Sequence, residues 1–298
     1  MEDFKKVAWE CDFRTHPKYA HLEGVLIETR PDYEGLRYAL TNFSCHLPYL
    51  SLTVLGSKEN FGMIREIIGN DTNIQILEFA IEPPFTIQKF NKAVCSPSFW
   101  DQFHGDRVLF FMTDTGVRRN DALRFMQYDW VGSPWEHYVH FVDGKGDDRV
   151  FQGNGAFSIR NPRKLKALCE VVHNNGEISE DVFFACHLAV TCTDAWLPIR
   201  DVAEHFSMEG TFYSETFGFH NAPVVGHFDN NKRKLFNLWS ANIDGRDIAN
   251  FIRLGIGSTC LRIGEGTYLG GSVLSINGIQ VQLKNGVVAD TLEFFPND

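Results

Sequence analysis

The 298-residue sequence lacks several features that would assign a chain to a class directly. Its seven cysteines are scattered, odd in number and without a Cys-x-x-Cys pair. This pattern is typical of reduced, mostly buried thiols rather than of a disulfide framework or a zinc site. No apolar run reaches membrane-spanning length, and the N-terminal residues lack the apolar segment of a signal peptide. We therefore expect a cytoplasmic protein without a transmembrane segment.

Positive charge is also scarce. Lysine and arginine number 28 against 38 aspartates and glutamates, which gives a net charge of −10. A general nucleic-acid-binding protein carries a basic stripe, so we do not expect nucleic acid as a partner. A local basic pocket for a diphosphate is compatible with this balance. The 44% hydrophobic content is sufficient for a sizeable core.

Most of the chain shows short apolar runs that alternate with segments of helical spacing. This alternation predicts an α/β fold with a mostly parallel sheet flanked by helices. Strands are predicted at 25–31, 50–55, 74–79, 108–112 and 129–132, and helices at 33–43, 60–68, 161–172 and from 179 onward. The run Val108–Met112 is the most apolar, so we expect it at the centre of the sheet.

The pattern changes after about residue 224. Short, often alternating strands follow, at 235–239, 260–263, 272–276, 279–283 and 291–295, and Asn-Gly pairs separate some of them. Asn-Gly between two such runs is a hairpin signal. We therefore predict two domains, with a nucleotide-sugar-binding or catalytic domain at 1–223 and a small β-rich module at 224–298.

Asp114 directly follows the predicted central strand. Ligands of open α/β sheets bind beyond the carboxyl ends of the strands, so this carboxylate is placed to contact a divalent metal or a ribose. An aspartate that only caps the next turn is an equally good interpretation.

Two further motifs admit both a functional and a structural interpretation. Gly153-Asn154-Gly155 either forms a hairpin turn or lines a sugar site, where glycine allows close approach to the backbone. Glu180-Asp181 begins a helix, where acids stabilise the helix dipole; the catalytic alternative makes one of them a general base. For each motif taken alone, the structural interpretation is favoured.

Several other side chains are candidates for ligand contacts. His220, in Phe-Gly-Phe-His, is either a metal or diphosphate ligand or one of the ordinary histidines among eleven. Arginines can bind phosphates and tryptophans can stack on sugar rings, although both also occur in ordinary surface and core positions. The candidates are Arg30, Arg118, Arg119, Trp100, Trp130 and Trp135, with core filling preferred for Trp100.

The order of these elements favours one function. A strand-end acid, a glycine turn, an acidic helix start and a late histidine follow one another along the chain. This order is what a nucleotide-diphospho-sugar transferase needs, and we therefore predict a glycosyltransferase.

Several sequence blocks, in the same order, resemble a family of uncharacterised proteins with GT-A-like glycosyltransferase character, found in bacteria, eukaryotes and large DNA viruses. The resemblance covers roughly the first three quarters of the chain and is carried by blocks at 25–31, 42–43, 47–48, 99–100, 109–115, 128–135, 153–160, 180–184 and 217–220. It implies a GT-A-like, Rossmann-like fold, a nucleotide-sugar donor, a glycan or other hydroxyl acceptor, and Mn²⁺ or Mg²⁺. The family's distribution is compatible with a viral or microbial pathway of glycan biosynthesis.

The resemblance also assigns roles to residues. Related GT-A enzymes hold metal and diphosphate with Asp-x-Asp, whereas this chain has Met112-Thr113-Asp114 and so lacks the first acid. Asp114 with His220 is the remaining candidate metal site. By analogy with inverting galactosyltransferases, Asp181, next to Glu180, is the predicted base. The nucleotide edge is assigned to Thr29 and Arg30, and the sugar site to the turn 153–155 with Trp135. The alternative is a non-catalytic glycan- or nucleotide-binding protein on a transferase scaffold.

Overall fold

The computed structural model describes residues 21–69, 74–81, 84–140, 149–209 and 216–220, and four short segments at 261–263, 272–276, 279–283 and 292–294. Contacts between Cα atoms divide the chain into two compact units. Among described residues, one unit contains 21–207 with 217–220, and the other contains 208–209, 216 and the four short segments. The predicted boundary at 223/224 lies outside the described residues and stays a prediction.

A six-stranded sheet forms the centre of the larger unit, with the strand order β3-β2-β1-β4-β9-β6. Its strands are β1 (Leu22–Ile27), β2 (Ser51–Gly56), β3 (Ile74–Glu78), β4 (Arg107–Phe111), β6 (Trp130–Gly132) and β9 (Ser158–Arg160). Strands β3, β2, β1 and β4 are mutually parallel, and β9 is antiparallel to both β4 and β6. The predicted α/β fold with a mostly parallel sheet is therefore confirmed, as is the interior position of the apolar run at 108–112.

Helices connect and cover these strands. They are α1 (Tyr33–His46), α2 (Phe61–Ile68), α3 (Ile87–Val94), α4 (Pro97–Trp100), α5 (Pro162–Val171), α6 (Glu180–Val190) and α7 (Arg200–Phe206), with a 3-10 helix at Ala122–Phe125. Side-chain caps begin two of them. The Asp32 side chain accepts a hydrogen bond from the Gly35 amide at the start of α1, and Asn161 caps α5 with Pro162 in its first turn.

The remaining strands are short. They are β5 (Thr115–Val117), β7 (Pro134–His140), β8 (Arg149–Gln152), β10 (Ser207–Met208), β11 (Gly218–His220), β12 (Leu261–Ile263), β13 (Ser272–Ile276), β14 (Ile279–Leu283) and β15 (Leu292–Phe294). Antiparallel pairs join β5 to β11, β7 to β8, β12 to β15 and β13 to β14. The register of β13 and β14, in which Ile276 faces Ile279, confirms the hairpin predicted there. The strand predicted at 235–239 lies outside the described residues.

The two faces of the sheet pack into separate apolar clusters because side chains alternate along each strand. On one face, Leu26 and Phe111 pack with residues of α1, α2 and α7. On the other face, Val25 and Phe110 pack with residues of α3, α4, α5 and α6. The larger unit is therefore a three-layer α/β/α arrangement, the geometry that leaves the strand ends open to a ligand.

Two expectations from composition can be compared with the described residues. None of the five cysteines there is in a disulfide; Cys95, Cys169 and Cys186 are buried and Cys45 and Cys192 are partly so, as predicted. Within the same residues, no helix is both long and apolar enough to cross a membrane.

Phe157 joins the sheet to the strand that carries His220. Its ring lies parallel to Phe206 at 4.9 Å between centroids and to Phe217 at 5.7 Å, and it meets Phe43 edge-on at 5.9 Å. Because Gly218 has no side chain, its backbone packs directly on the Phe157 ring. Phe157 is fully buried.

We expect Phe157→Ala to lower the free energy of unfolding by about 3–5 kcal/mol, since it removes a buried aromatic ring and leaves a cavity. Denaturant titration followed by circular dichroism measures the change. Phe85→Ala is the matched control: its ring is 54% exposed, so we expect a change within about 0.5 kcal/mol. Equal losses in the two variants would contradict the role given to Phe157.

Candidate functional site at the carboxyl edge of the sheet

The strand register places most of the predicted site residues at one edge of the sheet. Strands β1, β2 and β4 are parallel, so their carboxyl ends lie side by side. Strand β9 runs the other way, and its first residue, Ser158, pairs with both Phe110 and Gly132. The segments after β1, β4 and β6 and the turn before β9 therefore meet at the edge where α/β proteins bind ligands.

Arg30 is anchored at this edge by Glu28, a residue that the sequence analysis missed. Glu28 Oε1 accepts hydrogen bonds from the Arg30 backbone amide at 2.8 Å and from Nε at 2.9 Å, and Oε2 accepts one from Nη2 at 2.6 Å. These bonds raise the pKa of the Arg30 guanidinium, and the charge of Asp114 contributes in the same direction. Arg30 is therefore a permanent, oriented cation close to Asp114.

The loop after β1 is held by buried polar side chains. Asn60 Nδ2 donates to the carbonyl oxygens of Glu28 and Arg30, and Asn60 Oδ1 accepts from the Ser57 amide. Ser57 Oγ donates to the carbonyl oxygen of Thr29, which is itself half-buried. Thr29 and Arg30 therefore lie on a loop that hydrogen bonds within the protein hold in place, and their role at the nucleotide edge stays a prediction.

Asp114 and His220 are brought together by the pairing of β5 with β11. His220 is the register partner of Thr115, and its Nε2 lies 3.6 Å from Asp114 Oδ2. That distance is too long for a hydrogen bond. It is close to the roughly 3 Å that separates neighbouring ligands of an octahedral ion at about 2.1 Å.

The ligands that Asp114 and His220 offer restrict the kind of metal ion that could bind there. The part of the chain that the structure describes contains no group of three His, Cys, Asp or Glu residues suited to holding a metal. One carboxylate and one imidazole fit an ion that takes its other ligands from water and phosphate. A Mn²⁺ or Mg²⁺ site at Asp114 and His220 stays a prediction.

Trp135 lies against the glycine turn. A Cβ built on Gly153 would overlap the Trp135 ring, so glycine is required there for this packing. The half-buried ring also packs on Ala185 and Cys186 of α6. Burial raises the pKa of the Cys186 thiol to about 11, which leaves it neutral and unreactive. The two other candidate tryptophans are in the core: Trp100 as preferred from the sequence, and Trp130 contrary to its proposed stacking role, because no part of it is accessible.

The turn 153–155 connects two different sheets. It follows β8, which pairs with β7, and precedes β9, which pairs with β4 and β6. It therefore does not close a hairpin, which was the structural interpretation of the sequence. Asn154 Oδ1 accepts a hydrogen bond from the Ala156 amide, and the Gly155 amide donates to Asp181 Oδ2 at 3.3 Å. The turn and the start of α6 are thus in direct contact.

Asp181 and Glu180 occupy different environments. Asp181 is half-buried, and its Oδ1 accepts bonds from Ser179 Oγ at 2.7 Å and from the Val182 amide at 2.8 Å. Glu180 is buried, and its two oxygens accept bonds from Arg160 Nη1 and Nη2 at 3.0 and 3.1 Å. Burial raises the pKa of the Glu180 carboxyl, and the Arg160 guanidinium opposes that rise. Asp181 is bonded to the glycine turn, whereas Glu180, which the sequence analysis grouped with it, is committed to an internal ion pair.

Arg160 organises this part of the structure and was also missed. It is completely buried, and its guanidinium lies 4.1 Å from the Phe110 ring centroid and 4.4 Å from that of Trp130. Its Nε donates to Ser158 Oγ, and Nη2 donates to the carbonyl oxygen of Gly155. One arginine thus joins the sheet, the glycine turn and α6. The sequence signal, an arginine in the apolar run before Asn161-Pro162, does not reveal its partners.

Arg118 and Arg119 are not part of this site. They line a surface cavity of about 560 Å³ together with Cys45 and His46. Cys45 and His46 lie in the last turn of α1, the helix whose first turn follows Arg30. The phosphate-binding role considered for the two arginines therefore does not concern the carboxyl edge.

A first prediction concerns Gly153. We expect Gly153→Ala to displace Trp135, to change the intrinsic tryptophan fluorescence and to cost about 1–3 kcal/mol of stability, because the added methyl overlaps the indole ring. Gly62→Ala is the control. Its Cβ would meet nothing within 4 Å in helix α2, so stability should stay unchanged or rise by up to about 1 kcal/mol. Unchanged fluorescence in Gly153→Ala would show that Trp135 does not depend on this glycine.

A second prediction concerns the buried ion pair. We expect Glu180→Gln to destabilise the fold by about 3–5 kcal/mol, since it leaves the Arg160 charge buried without its counter-ion. Chemical denaturation measures the loss. In the control, Glu78→Gln, the carboxylate is 45% exposed and lies 3.5 Å from Lys58, so the expected change is below about 1 kcal/mol. A Glu180→Gln protein as stable as this control would contradict the assignment.

Comparisons with known proteins give a family and distant structural likenesses. The model of a family described as "Protein of unknown function (DUF5672)" matches residues 73–225, slightly more than half of the chain. No match was found among curated proteins.

The structural likenesses are distant. Two structures of the glycosyltransferase GlyE from Streptococcus pneumoniae TIGR4, one of them the apo form, are similar with a TM-score of 0.42. They are 15% and 13% identical, and the aligned parts cover 79% of this chain and 63% of theirs, less than two thirds of their length. A 4-diphosphocytidyl-2C-methyl-D-erythritol synthase from Anaerococcus prevotii DSM 20548 is similar with a TM-score of 0.35 at 11% identity, over 51% of this chain and 74% of that one. Likeness at this level assigns no activity.

Proposed function

The chain belongs to the DUF5672 family, and we propose that it is a glycosyltransferase that moves a sugar from a nucleotide-diphospho-sugar donor to a hydroxyl acceptor. One observation carries the proposal. An anchored cation, a carboxylate–imidazole pair and a second, separately held carboxylate converge on the carboxyl edge of the sheet. These are Arg30, Asp114 with His220, and Asp181.

The donor diphosphate is assigned to the region of Arg30 and Asp114. A guanidinium fork matches phosphate oxygens, and the permanent charge of Arg30 offsets the charge of a diphosphate. Asp114 and His220 would hold Mn²⁺ or Mg²⁺, which would supply further positive charge next to the leaving diphosphate. Thr29, on the same fixed loop, is assigned to the nucleoside.

The sugar and the acceptor are assigned to the turn and helix α6. Gly153, Asn154 and Gly155 bring the chain against the Trp135 ring and Asp181, and the Trp135 ring offers an apolar face for a sugar. Asp181 is the proposed general base. Its oxygens are oriented by Ser179 Oγ, the Val182 amide and the Gly155 amide.

The proposed reaction is a direct displacement with inversion. The acceptor hydroxyl oxygen bonds to the anomeric carbon while its proton passes to an Asp181 carboxylate oxygen. The bond between the anomeric carbon and the diphosphate oxygen breaks, and its electron pair leaves with the nucleoside diphosphate. Arg30 stabilises the negative charge that develops on that oxygen, which is the electrostatic part of the catalysis.

A second candidate function is a glycan- or nucleotide-binding protein without turnover. Met112 favours it, because it stands where the Asp-x-Asp of related GT-A enzymes has its first acid. The two functions differ in the release of nucleoside diphosphate, which a binding protein would not produce.

The first experiment is a thermal-shift panel of UDP, GDP, ADP and CDP and their sugars, with and without Mn²⁺. A ligand at one hundred times its dissociation constant stabilises a protein by about 2.7 kcal/mol, which is a measurable shift. We expect a shift with one nucleotide that increases with Mn²⁺. The absence of any shift in the whole panel would contradict a donor site.

Asp181→Asn tests the proposed base. With the donor found in the panel, we expect transfer to an acceptor to fall by about 10²–10⁴-fold, because the amide cannot take the proton. The donor affinity should change less than about threefold, since Asp181 does not contact the diphosphate in this proposal. Diphosphate release in an acceptor screen measures the rate.

Asp201→Asn is the control for this variant. Asp201 also lies in the first turn of a helix, α7, but is exposed. Its replacement should leave transfer at the wild-type rate. If Asp181→Asn also transfers at that rate, Asp181 is not the base; if the wild-type protein binds a donor but never releases diphosphate, the binding function is correct.

A further inference from the structure

We propose that Glu28 is a positioning residue, which fixes the Arg30 guanidinium in the orientation that binds a diphosphate. The inference rests on the proposed function, in which Arg30 contacts the donor. It concerns a residue that neither the sequence motifs nor the family match single out.

The Glu28 carboxylate bonds only within the protein, so it can position other residues but cannot bind a ligand itself. Its side chain is buried at the end of β1, and its carboxylate accepts four hydrogen bonds. Three come from the backbone and side chain of Arg30, and the fourth comes from Thr113 Oγ1 at 3.0 Å. A carboxylate has about four acceptor sites, so Glu28 has no acceptor capacity left for a ligand.

Arg30, in contrast, keeps capacity for a ligand. A guanidinium has five N–H donors, and two of them are directed to Glu28. The structure shows no other hydrogen-bond acceptor for this side chain among the described residues. The side chain is 72% exposed, so the remaining donors lie on its solvent side. They form the planar edge that pairs with phosphate oxygens.

Anchoring matters because arginine is a flexible side chain. An exposed arginine loses rotamer freedom when it binds a ligand, and this loss weakens binding. The two-point contact with Glu28 fixes the plane of the guanidinium before the ligand arrives. Thr113 extends the effect to the end of β4, since it precedes Asp114 in the chain and shares the Glu28 carboxylate with Arg30. Glu28 therefore sets the relative position of Arg30 and Asp114.

A double-mutant cycle tests the inference. The variants are Glu28→Gln, Arg30→Ala and the double variant, and isothermal titration with UDP, GDP, ADP and CDP in the presence of Mn²⁺ measures the affinity. We expect Glu28→Gln to weaken the tightest of these ligands by about tenfold, because the amide replaces one acceptor by a donor and removes the charge. In the Arg30→Ala background, the same change should have no further effect.

Two further variants keep the test decisive if Glu28→Gln is poorly stable. Glu28→Asp retains the charge on a shorter side chain and should weaken binding less than Glu28→Gln. Arg30→Lys retains the positive charge but removes the fork, so we expect it to bind as weakly as Glu28→Gln. Glu78→Gln, on an exposed ion pair, is the matched control and should bind like the wild type.

The outcomes separate the two proposals. If the wild-type protein binds one nucleoside diphosphate and Glu28→Gln binds it equally well, the positioning role is wrong and the donor site stands. Equal losses from Glu28→Gln in the Arg30 and Arg30→Ala backgrounds also overturn the positioning role, because Glu28 would then support the fold generally. If the wild-type protein binds none of the four ligands, both the donor site and the role of Glu28 are wrong.

Discussion

The buried pair of Arg160 and Glu180 is the interaction on which the candidate site depends. A guanidinium without solvent access is stabilised only if its donors and charge are matched, and here Glu180, Ser158, Gly155 and the rings beside it do so. The partners belong to β9, the glycine turn and α6. Their positions are therefore fixed together, and the Gly155 amide reaches Asp181 as a consequence.

A second buried charge with matched partners lies on the other side of the candidate site. Glu28 is a buried carboxylate whose counter-ion, Arg30, is exposed. The two ion pairs thus differ in the exposure of the arginine. Arg160 is enclosed and stabilises the scaffold, whereas Arg30 keeps part of its hydrogen-bonding edge at the surface. In each pair the buried carboxylate is bonded within the protein, and a nearby residue, Asp181 or Arg30, is the proposed ligand contact.

Much of the fold could be predicted from the sequence. The apolar run 108–112 identified the interior strand because only a strand covered on both faces is so continuously apolar. The helical spacing at 161–172 identified α5, which Asn161 caps. The site was predicted less completely. Asp114 and Asp181 follow local signals, a strand end and a helix start, but Glu28, Asn60 and Arg160 carry no such signal. Asn60 and Arg160 act on partners in other elements, and Glu28 bonds both to Arg30, two residues later, and to Thr113 after β4.

The sequence by itself determined the alternation of strands and helices, the buried thiols and the candidate acids, because these follow from local periodicity and residue chemistry. The family resemblance named Asp181 as the base, and only the tertiary structure supplies a physical difference between Glu180 and Asp181. The two are adjacent in the sequence and chemically alike, and helix geometry turns their side chains in different directions. One carboxylate meets Arg160 in the core and the other meets the glycine turn at the edge of the sheet. Burial, which no single-residue pattern encodes, therefore separates the structural acid from the candidate base.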